Sequence, residues 1–415
     1  MFGSYARPGL IVNGNGSDVY GRTGVSPEQP MPDGGGENLD PDRDDEWVRR
    51  VRQALLAWDA HAHRELPWRA DRDPYRVLVS EMMLVQTTVA AVVPYFERFL
   101  ARFPTIATLA EADEADVLKA WEGLGYYRRA RQLHAAARAV MGRHGGAFPD
   151  DPEAVRALPG VGRYIAGAIL SFAFDRQAPI VEANTQRVLA RWLAWRGDLK
   201  TSATQARLWE AAGRLVPAMG AGAFNQAFME LGALICTPKA PACLLCPVAA
   251  DCRARRLGLQ EAIPVTTPKP PPLASAEAAA LVFRGGKVLI LQRGPVRLWE
   301  DFWELPTVHL SGADPAGRAF DDGSVDLAEG VRRLTGVEAE VGRACAAFTY
   351  GVTRHRVRLE AHEAHGRTDP LVPGPGVRQA VWESAENLGR YPFSAAGRRL
   401  VAVAVRHLRG GSVGT

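Results

Sequence analysis

The stretch VTTPKPPPLAS, residues 265–275, carries four prolines and divides the chain more sharply than any other feature. Each proline fixes φ and removes a backbone N–H, so neither a helix interior nor a central strand runs through such a segment. Residues 253–276 therefore read as a stiff, extended linker, and the chain on either side must close around its own core. With 415 residues there is length enough for two or three such cores.

Upstream, from 45 to 252, apolar residues recur at helical spacing almost throughout, as in WVRRVRQALLAWDAH and TTVAAVVPYFERFLARF, with short Gly/Pro turns between runs. Downstream, from 277 to 409, the period changes. AALVFRGGKVLILQR predicts a β-hairpin turning at Gly285-Gly286, DLAEGVRRLTG a helix, and the alternation over 353–362 a further strand, so this domain is expected to be α+β. Residues 1–44, rich in Gly, Pro, Asp and Asn without apolar periodicity, read as a disordered leader, and 410–415 as a tail.

No apolar stretch approaches the roughly 20 residues that cross a bilayer. The first residues lack a signal-peptide pattern, so a soluble, cytoplasmic protein without a membrane partner is expected. A formal net charge of +4 confines any nucleic-acid surface to a local patch. Lysine occurs only at Lys119, Lys200, Lys239, Lys269 and Lys287, which leaves few amines for covalent chemistry.

Four of the five cysteines crowd into CTPKAPACLLCPVAADC with the spacing C-x6-C-x2-C-x5-C. Four thiolates hold either zinc or an iron–sulfur cluster. Zinc sites usually show two short C-x2-C pairs, and only Cys243 and Cys246 form one here, which favours a cluster held by Cys236, Cys243, Cys246 and Cys252. Arg253, Arg255 and Arg256 follow directly and offer charge for phosphates.

Ahead of the run ILSFAF, the stretch ALPGVGRYIAGA spaces glycines between two helical segments. Asp151 and Pro152 read as N-cap and first residue of the helix before it. Such a turn either closes tightly for its own sake or grips a nucleic-acid phosphate with main-chain donors. Glu81 is the one charged residue in VLVSEMMLV. On a core-facing side its carboxyl would be kept protonated and serve as a general acid; on a solvated face it would do neither. Glu182 precedes a helix whose cap is expected at Asn184 or Thr185, where free N–H groups favour a carboxylate anion. One protonated and one ionised carboxyl form the acid and stabiliser pair of glycoside cleavage.

The motifs LPWR (66–69), SEMMLVQTTV (80–89), GLGYYRRAR (123–131), LPGVGRYIAGA and the four-cysteine loop together resemble the MutY-type adenine DNA glycosylases of the helix-hairpin-helix superfamily, over about residues 46–409. The resemblance implies a multidomain fold: an all-α helix-hairpin-helix glycosylase domain with an iron–sulfur cluster loop, followed by an α+β Nudix-like C-terminal domain. It implies a 4Fe-4S cluster on the four cysteines. It also implies, as partners, double-stranded DNA with a mismatched or oxidised base pair and, downstream, abasic-site repair proteins, with the enzyme a monomer.

By the same likeness Glu81 protonates a flipped-out adenine, Tyr164 assists at the sugar and Glu182 stabilises the oxocarbenium-like transition state. Gly160 and Gly162 hold a DNA phosphate. Gln86, Thr87 and Tyr126 meet the DNA, Gln86 and Tyr126 filling or wedging the base stack, while Trp68, Arg69, Leu84, Val89 and Gln226 shape the adenine pocket. The family usually has aspartate where Glu182 stands. Its Phe-Ser-His lesion-recognition loop appears here as Val352-Thr353-Arg354, with Arg354 also able to meet a phosphate on one strand face with Arg356 and Arg358. Where the related endonuclease III has a lysine, this chain has Tyr164, which implies glycosylase activity without lyase activity. The same chemistry on another mismatched base, or a cluster-bearing DNA-binding protein without catalysis, are the alternatives. In the second domain LAEGVRRLTGVEAEVG lacks the glutamate-rich helix of Nudix hydrolases, so recognition rather than pyrophosphate hydrolysis is expected.

Overall fold

A computed structural model of the chain describes residues 45–265, 270–295, 299–312, 326–368 and 371–410. The leader expected over 1–44, and all of the tail but Gly410, lie outside the described residues. The helical domain runs α1 (Asp45–Ala62), α2 (Pro74–Leu84), α3 (Val89–Arg102), α4 (Ile106–Glu111), α5 (Glu114–Trp121), α6 (Arg128–His144), α7 (Pro152–Arg156), α8 (Arg163–Phe172), α9 (Ala183–Trp192), α10 (Ser202–Leu215), α11 (Ala221–Glu230) and α12 (Arg253–Arg256).

Local chemistry sets the boundaries. Asp73 accepts a hydrogen bond from Tyr75 N at 2.9 Å ahead of Pro74, and Asp151 accepts one from Ala154 N at 2.9 Å ahead of Pro152, so α2 and α7 begin with a capped, proline-primed turn. Apolar almost all round, α2 is buried over nearly its whole length and forms the centre of the domain.

The helices enclose two cores. One gathers Leu78, Met82, Phe96, Phe99, Trp121 and Ile169 from α2, α3, α5 and α8; the other gathers Val51, Leu55, Leu189, Trp192, Phe224 and Phe228 from α1, α9 and α11. Tyr164, on the first turn of α8, packs against both, at the seam between the two lobes.

The second domain is built on a mixed sheet of β1 (Leu273–Arg284), β2 (Lys287–Arg293), β3 (Trp303–Glu304) and β4 (Thr307–Gly312), then, beyond α13 (Leu327–Thr335), β5 (Ala339–Val352), β6 (His355–Gly366) and β7 (Val377–Glu383), closed by α14 (Ala395–Leu408). Its main path is β3-β2-β1-β6-β5. Parallel pairing of β1 with β6 and antiparallel pairing with β2 and β4 place β1 at the middle. Helix α14 covers the face bearing Ala279 and Leu281, and α13 the face bearing Ala278, Ala280 and Val282. Cover on both faces is why AAALVF reads as an unbroken apolar run rather than an alternation.

Two expectations are corrected. The extended linker over 253–276 is shorter: its first part folds as α12 and packs onto the helical domain through buried Ala254 and Ile263, and β1 already starts at Leu273. Apolar anchors inside the segment outweighed its proline content. The single strand expected over 353–362 is a β5–β6 hairpin whose turn is Thr353-Arg354, so Arg354 does not share a strand face with Arg356 and Arg358. Helix α14, with no counterpart in the sequence reading, makes the domain's last layer.

The segment WEDFWELP, residues 299–306, joins the domains. Phe302 is buried in the helical core, its ring 4.2 Å from that of Tyr127, and Arg131 donates to Glu300 O at 2.6 Å. Arg398 of α14 donates to Glu122 Oε2 at 2.8 Å nearby.

Candidate active site

Between the two lobes of the helical domain lies a cleft of about 600 Å³ lined by Glu81, Tyr164 and Glu182 together with Trp68, Arg69, Leu84, Val89 and Gln226. Gln86 and Thr87 stand at its margin in the same lining. The expected catalytic and adenine-pocket residues thus share one cavity. Glu81 is only 3% exposed, which resolves its reading in favour of the core-facing carboxyl.

Tyr164 Oη donates to Glu81 Oε2 at 2.5 Å. Burial pushes Glu81 up to about 7; the Tyr164 hydrogen bond opposes that rise, the neighbouring charge of Glu182 adds to it, and Arg69 draws it back. Burial, Glu81 and Glu182 together hold the Tyr164 phenol well above its ordinary value, so it acts as a neutral donor.

Glu182 itself caps α9, in place of the expected Asn184 or Thr185. Its Oε2 accepts from Asn184 N at 2.8 Å, its Oε1 from Thr185 N at 2.9 Å, and its own N–H donates to Thr185 Oγ1 at 2.9 Å, completing a capping box. Glutamate has the reach to close both bonds from outside the helix. The expected net stabilisation of its anion is corrected in sign: burial raises Glu182 above the ordinary carboxylate range, and the Asn184 and Thr185 N–H groups offset this only in part. Of the two carboxyls Glu81 still holds the proton more readily, because two backbone donors and the Asn184 amide serve Glu182 whereas the Tyr164 hydroxyl alone serves Glu81.

Sequence reasoning missed Arg64 and Glu230. Glu230 is fully buried at the end of α11, and its carboxylate accepts from Arg64 Nε, Arg64 Nη2 and Arg69 Nη2, each at 2.8 Å. The signal was present: a single acid in FNQAFMELGALI, the pattern that singled out Glu81.

A second cleft, about 780 Å³, runs between the domains and is lined by Gln86, Tyr126, Val352 and Thr353. Gln86, Tyr126 and Thr353 have φ of 58°, 49° and 51°, a left-handed conformation that costs a non-glycine residue about 1 kcal/mol or more and concentrates at functional sites. Tyr126 is 57% exposed. Arg129, buried beneath it, donates to Met82 O at 2.7 Å, Met83 O at 3.0 Å and Val85 O at 2.6 Å, which ties off the end of α2 next to Gln86. Arg354 is exposed at the hairpin turn and is not part of this lining.

Between α7 and α8, Gly160 takes φ +75° and approaches Gln132 and Met82 so closely that a Cβ would clash with both. Gly162 is exposed at the N-cap of α8 with open space beside it. A helix–turn–helix order with N–H groups at an open helix start is the geometry of an anion site.

Cys236, Cys243, Cys246 and Cys252 line one small cavity with Arg191 and Arg255. Arg191 donates to Cys236 Sγ at 3.2 Å, and Arg187 donates to Cys236 O at 2.7 Å and to Asn184 Oδ1 at 3.0 Å. Burial, then the neighbouring thiols, pushes Cys246 up to about 12, and burial raises Cys243 and Cys252. Among the described residues no three His, Cys, Asp or Glu side chains converge at single-ion spacing. Nor, among them, is any helix long and apolar enough to cross a membrane.

Residues 79–214 match the HhH-GPD superfamily of base excision DNA repair proteins. A Rattus norvegicus protein named adenine DNA glycosylase is 34% identical over 417 residues, which cover 88% of this chain and 79% of that protein. Proteins of the same name from Homo sapiens (44% identical, 53% of this chain and 42% of that protein) and Arabidopsis thaliana (30% identical, 87% and 65%) also align. Among solved structures, a thermostable thymine-DNA glycosylase aligns at TM-score 0.48 with 30% identity, over 51% of this chain and 98% of that chain.

Proposed function

The chain belongs to the adenine DNA glycosylase family, and from that premise we propose that it excises adenine mispaired with 8-oxoguanine or guanine by hydrolysing the N-glycosidic bond, without lyase activity. One observation carries this reading: a buried Glu81, bonded to Tyr164 and pushed up to about 7 by its burial, shares a cleft with the carboxyl of Glu182. Adenine flipped from the duplex enters between Trp68, Leu84 and Val89. Glu81 delivers its proton to a ring nitrogen, the bond to C1′ breaks with its electron pair leaving on the base, and Tyr164 restrains the sugar. The Glu182 carboxylate faces the oxocarbenium-like charge until water adds at C1′ and gives up a proton.

Gln86 and Tyr126, held by Arg129 in their left-handed turns, fill the base stack, with Thr87 beside them. Val352 and Thr353 face them across the inter-domain cleft and read the opposite base, while Gly160 and Gly162 hold a backbone phosphate and Arg354 meets the DNA from the hairpin turn. Four cysteines on one cavity, with the Arg191 cation on Cys236, suit a 4Fe-4S cluster on Cys236, Cys243, Cys246 and Cys252. Such a cluster would supply local structure to the lobe that carries α9. The enzyme acts as a monomer on duplex DNA in the cytoplasm and hands the abasic product to other repair proteins.

Single-turnover cleavage of duplexes with one defined mismatch tests the proposal. Adenine opposite 8-oxoguanine or guanine should be excised, and Glu81→Gln and Glu182→Gln should each slow the reaction about 100-fold or more while duplex binding survives. Excision unchanged in Glu81→Gln would refute the assignment of the acid.

A further inference from the structure

The cleft holds more charge than the bond cleavage uses. Besides Glu81 and Glu182 it is lined by Arg64, Arg69 and Glu230. Glu230 is inaccessible to solvent, and its carboxylate is saturated by guanidinium donors: both Arg64 N–H groups in a fork and one from Arg69. Arg64 Nη2 and Arg69 Nη2 converge on the same oxygen, Oε1. Two cations so close repel unless an anion sits between them. Helix α11 delivers that anion and then opens at once into the π-type turn Leu231–Ile235, a distortion that tends to mark functional sites.

Resting on the reading of Glu81 as the acid, we propose that Glu230 is a positioning residue: it pins Arg64 and Arg69 as one wall of the adenine cleft, and by neutralising Arg69 it prevents that cation from drawing the proton off Glu81. In the cleft lining the carboxyls of Glu182 and Glu230 face the guanidinium groups of Arg64 and Arg69. Removing the Glu230 charge takes away the anion that both guanidinium groups share, and in the cleft lining the carboxyl that answers by ionising is Glu81, which has one hydrogen-bond donor where Glu182 has three.

The charged neighbours come from several elements, Arg187 of α9 standing by Glu182. Facing Glu81 are Tyr164 from α8, Glu182 from the start of α9 and Arg69 from the turn Pro67–Arg69. Facing Glu230 are Arg64 and Arg69, and Asp59 from α1 lies within electrostatic reach of both Arg69 and Glu230, with His63 beside it. Burial works against ionisation of Glu230, yet the Arg64 and Arg69 contacts leave it below the usual carboxylate range, so it is an anion at neutral pH. Asp59 goes the other way, raised chiefly by burial.

The test is the pH dependence of single-turnover adenine excision by the full chain, from pH 5.5 to 9, with wild type, Glu230→Gln, Arg69→Gln and the double variant. Glu230→Gln should lose activity at lower pH than wild type, its alkaline midpoint displaced downward by about half a unit or more. Arg69→Gln should displace it upward, and the double variant should follow Arg69→Gln, because without the cation the anion has nothing to offset. A merely structural Glu230 would lower the rate at every pH by one factor and leave the midpoint in place; that outcome overturns the proposal. If Glu230→Gln fails to fold, judged by far-UV circular dichroism, Glu230→Asp decides: keeping the charge at shorter reach, it should hold the wild-type midpoint, and a midpoint displaced as in a neutral variant overturns the idea. Loss of the acid reading itself is separable, since it appears as full activity in Glu81→Gln whatever Glu230 does.

Discussion

Replacing Glu81 by glutamine removes the proposed proton donor and keeps the shape, and two consequences of opposite sign are expected. Excision should fall by ~10²–10⁴-fold, the usual range for a lost general acid. Stability should move the other way at high pH. Glu81 sits at about 7 in the folded chain against an ordinary 4.5; that difference is worth about 3 kcal/mol. Below pH 4.5 both folded and unfolded chains carry the proton and nothing is lost. Between the two values the unfolded chain releases it while the folded chain holds it, so wild type loses stability as the pH rises through about 7, and no more is lost above. Glutamine does not titrate. The advantage of Glu81→Gln over wild type in urea unfolding should therefore grow by about 3 kcal/mol between pH 4.5 and pH 8.5. A gap that stays flat with pH, even alongside lost activity, would mean that Glu81 is ionised in the folded enzyme and would refute the buried-acid argument.

Other perturbations reach the same site from other sides. Tyr164→Phe deletes the hydrogen bond that holds Glu81 down, so the alkaline midpoint of the rate profile should rise while the low-pH plateau falls, both read from single-turnover kinetics. Glu182→Ala strips two N–H groups of α9 of their acceptor and should cost about 1–2 kcal/mol by chemical denaturation, in addition to its effect on excision. Arg129→Met leaves three carbonyls at the end of α2 without their shared donor; a loss of roughly 3 kcal/mol is expected in thermal denaturation.

How far the site was legible in the chain depended on which physics wrote it. Glu81 stood out because one acid in an apolar helix is a conflict between pattern and burial, and Asp151-Pro152 because a cap and a proline act within one turn. Glu230 carried the same conflict as Glu81, but its meaning depends on Arg64 and Arg69, more than 160 positions away. Glu182 as its own cap was hidden because glutamate is a rare N-cap and two commoner capping residues follow it. Helix α14 went unread because its apolar stripe faces a sheet whose central strand is covered on both sides, so its partner surface gave no alternation to match. The turn at Thr353-Arg354 has neither glycine nor asparagine, and a hairpin without them leaves no local mark.

That unmarked turn is the clearest sign of what the second domain adds to the first. Thr353 takes a left-handed conformation that glycine would adopt freely, and so do Gln86 and Tyr126 across the cleft. Each side chain is held there against a local cost, as is Trp299 (φ 60°) in the same lining, and four such costs around one opening argue for a shared ligand rather than four accidents of packing. Thr353→Gly separates the two readings. If the position serves packing alone, glycine should relieve about 1 kcal/mol of strain and leave excision of adenine untouched, whatever base stands opposite. If Thr353 reads that base, the variant should be at least as stable as wild type in thermal denaturation yet lose its preference for 8-oxoguanine over guanine in paired single-turnover assays. A variant as selective as wild type would remove the hairpin turn from recognition and leave Gln86 and Tyr126 to do it from the helical domain.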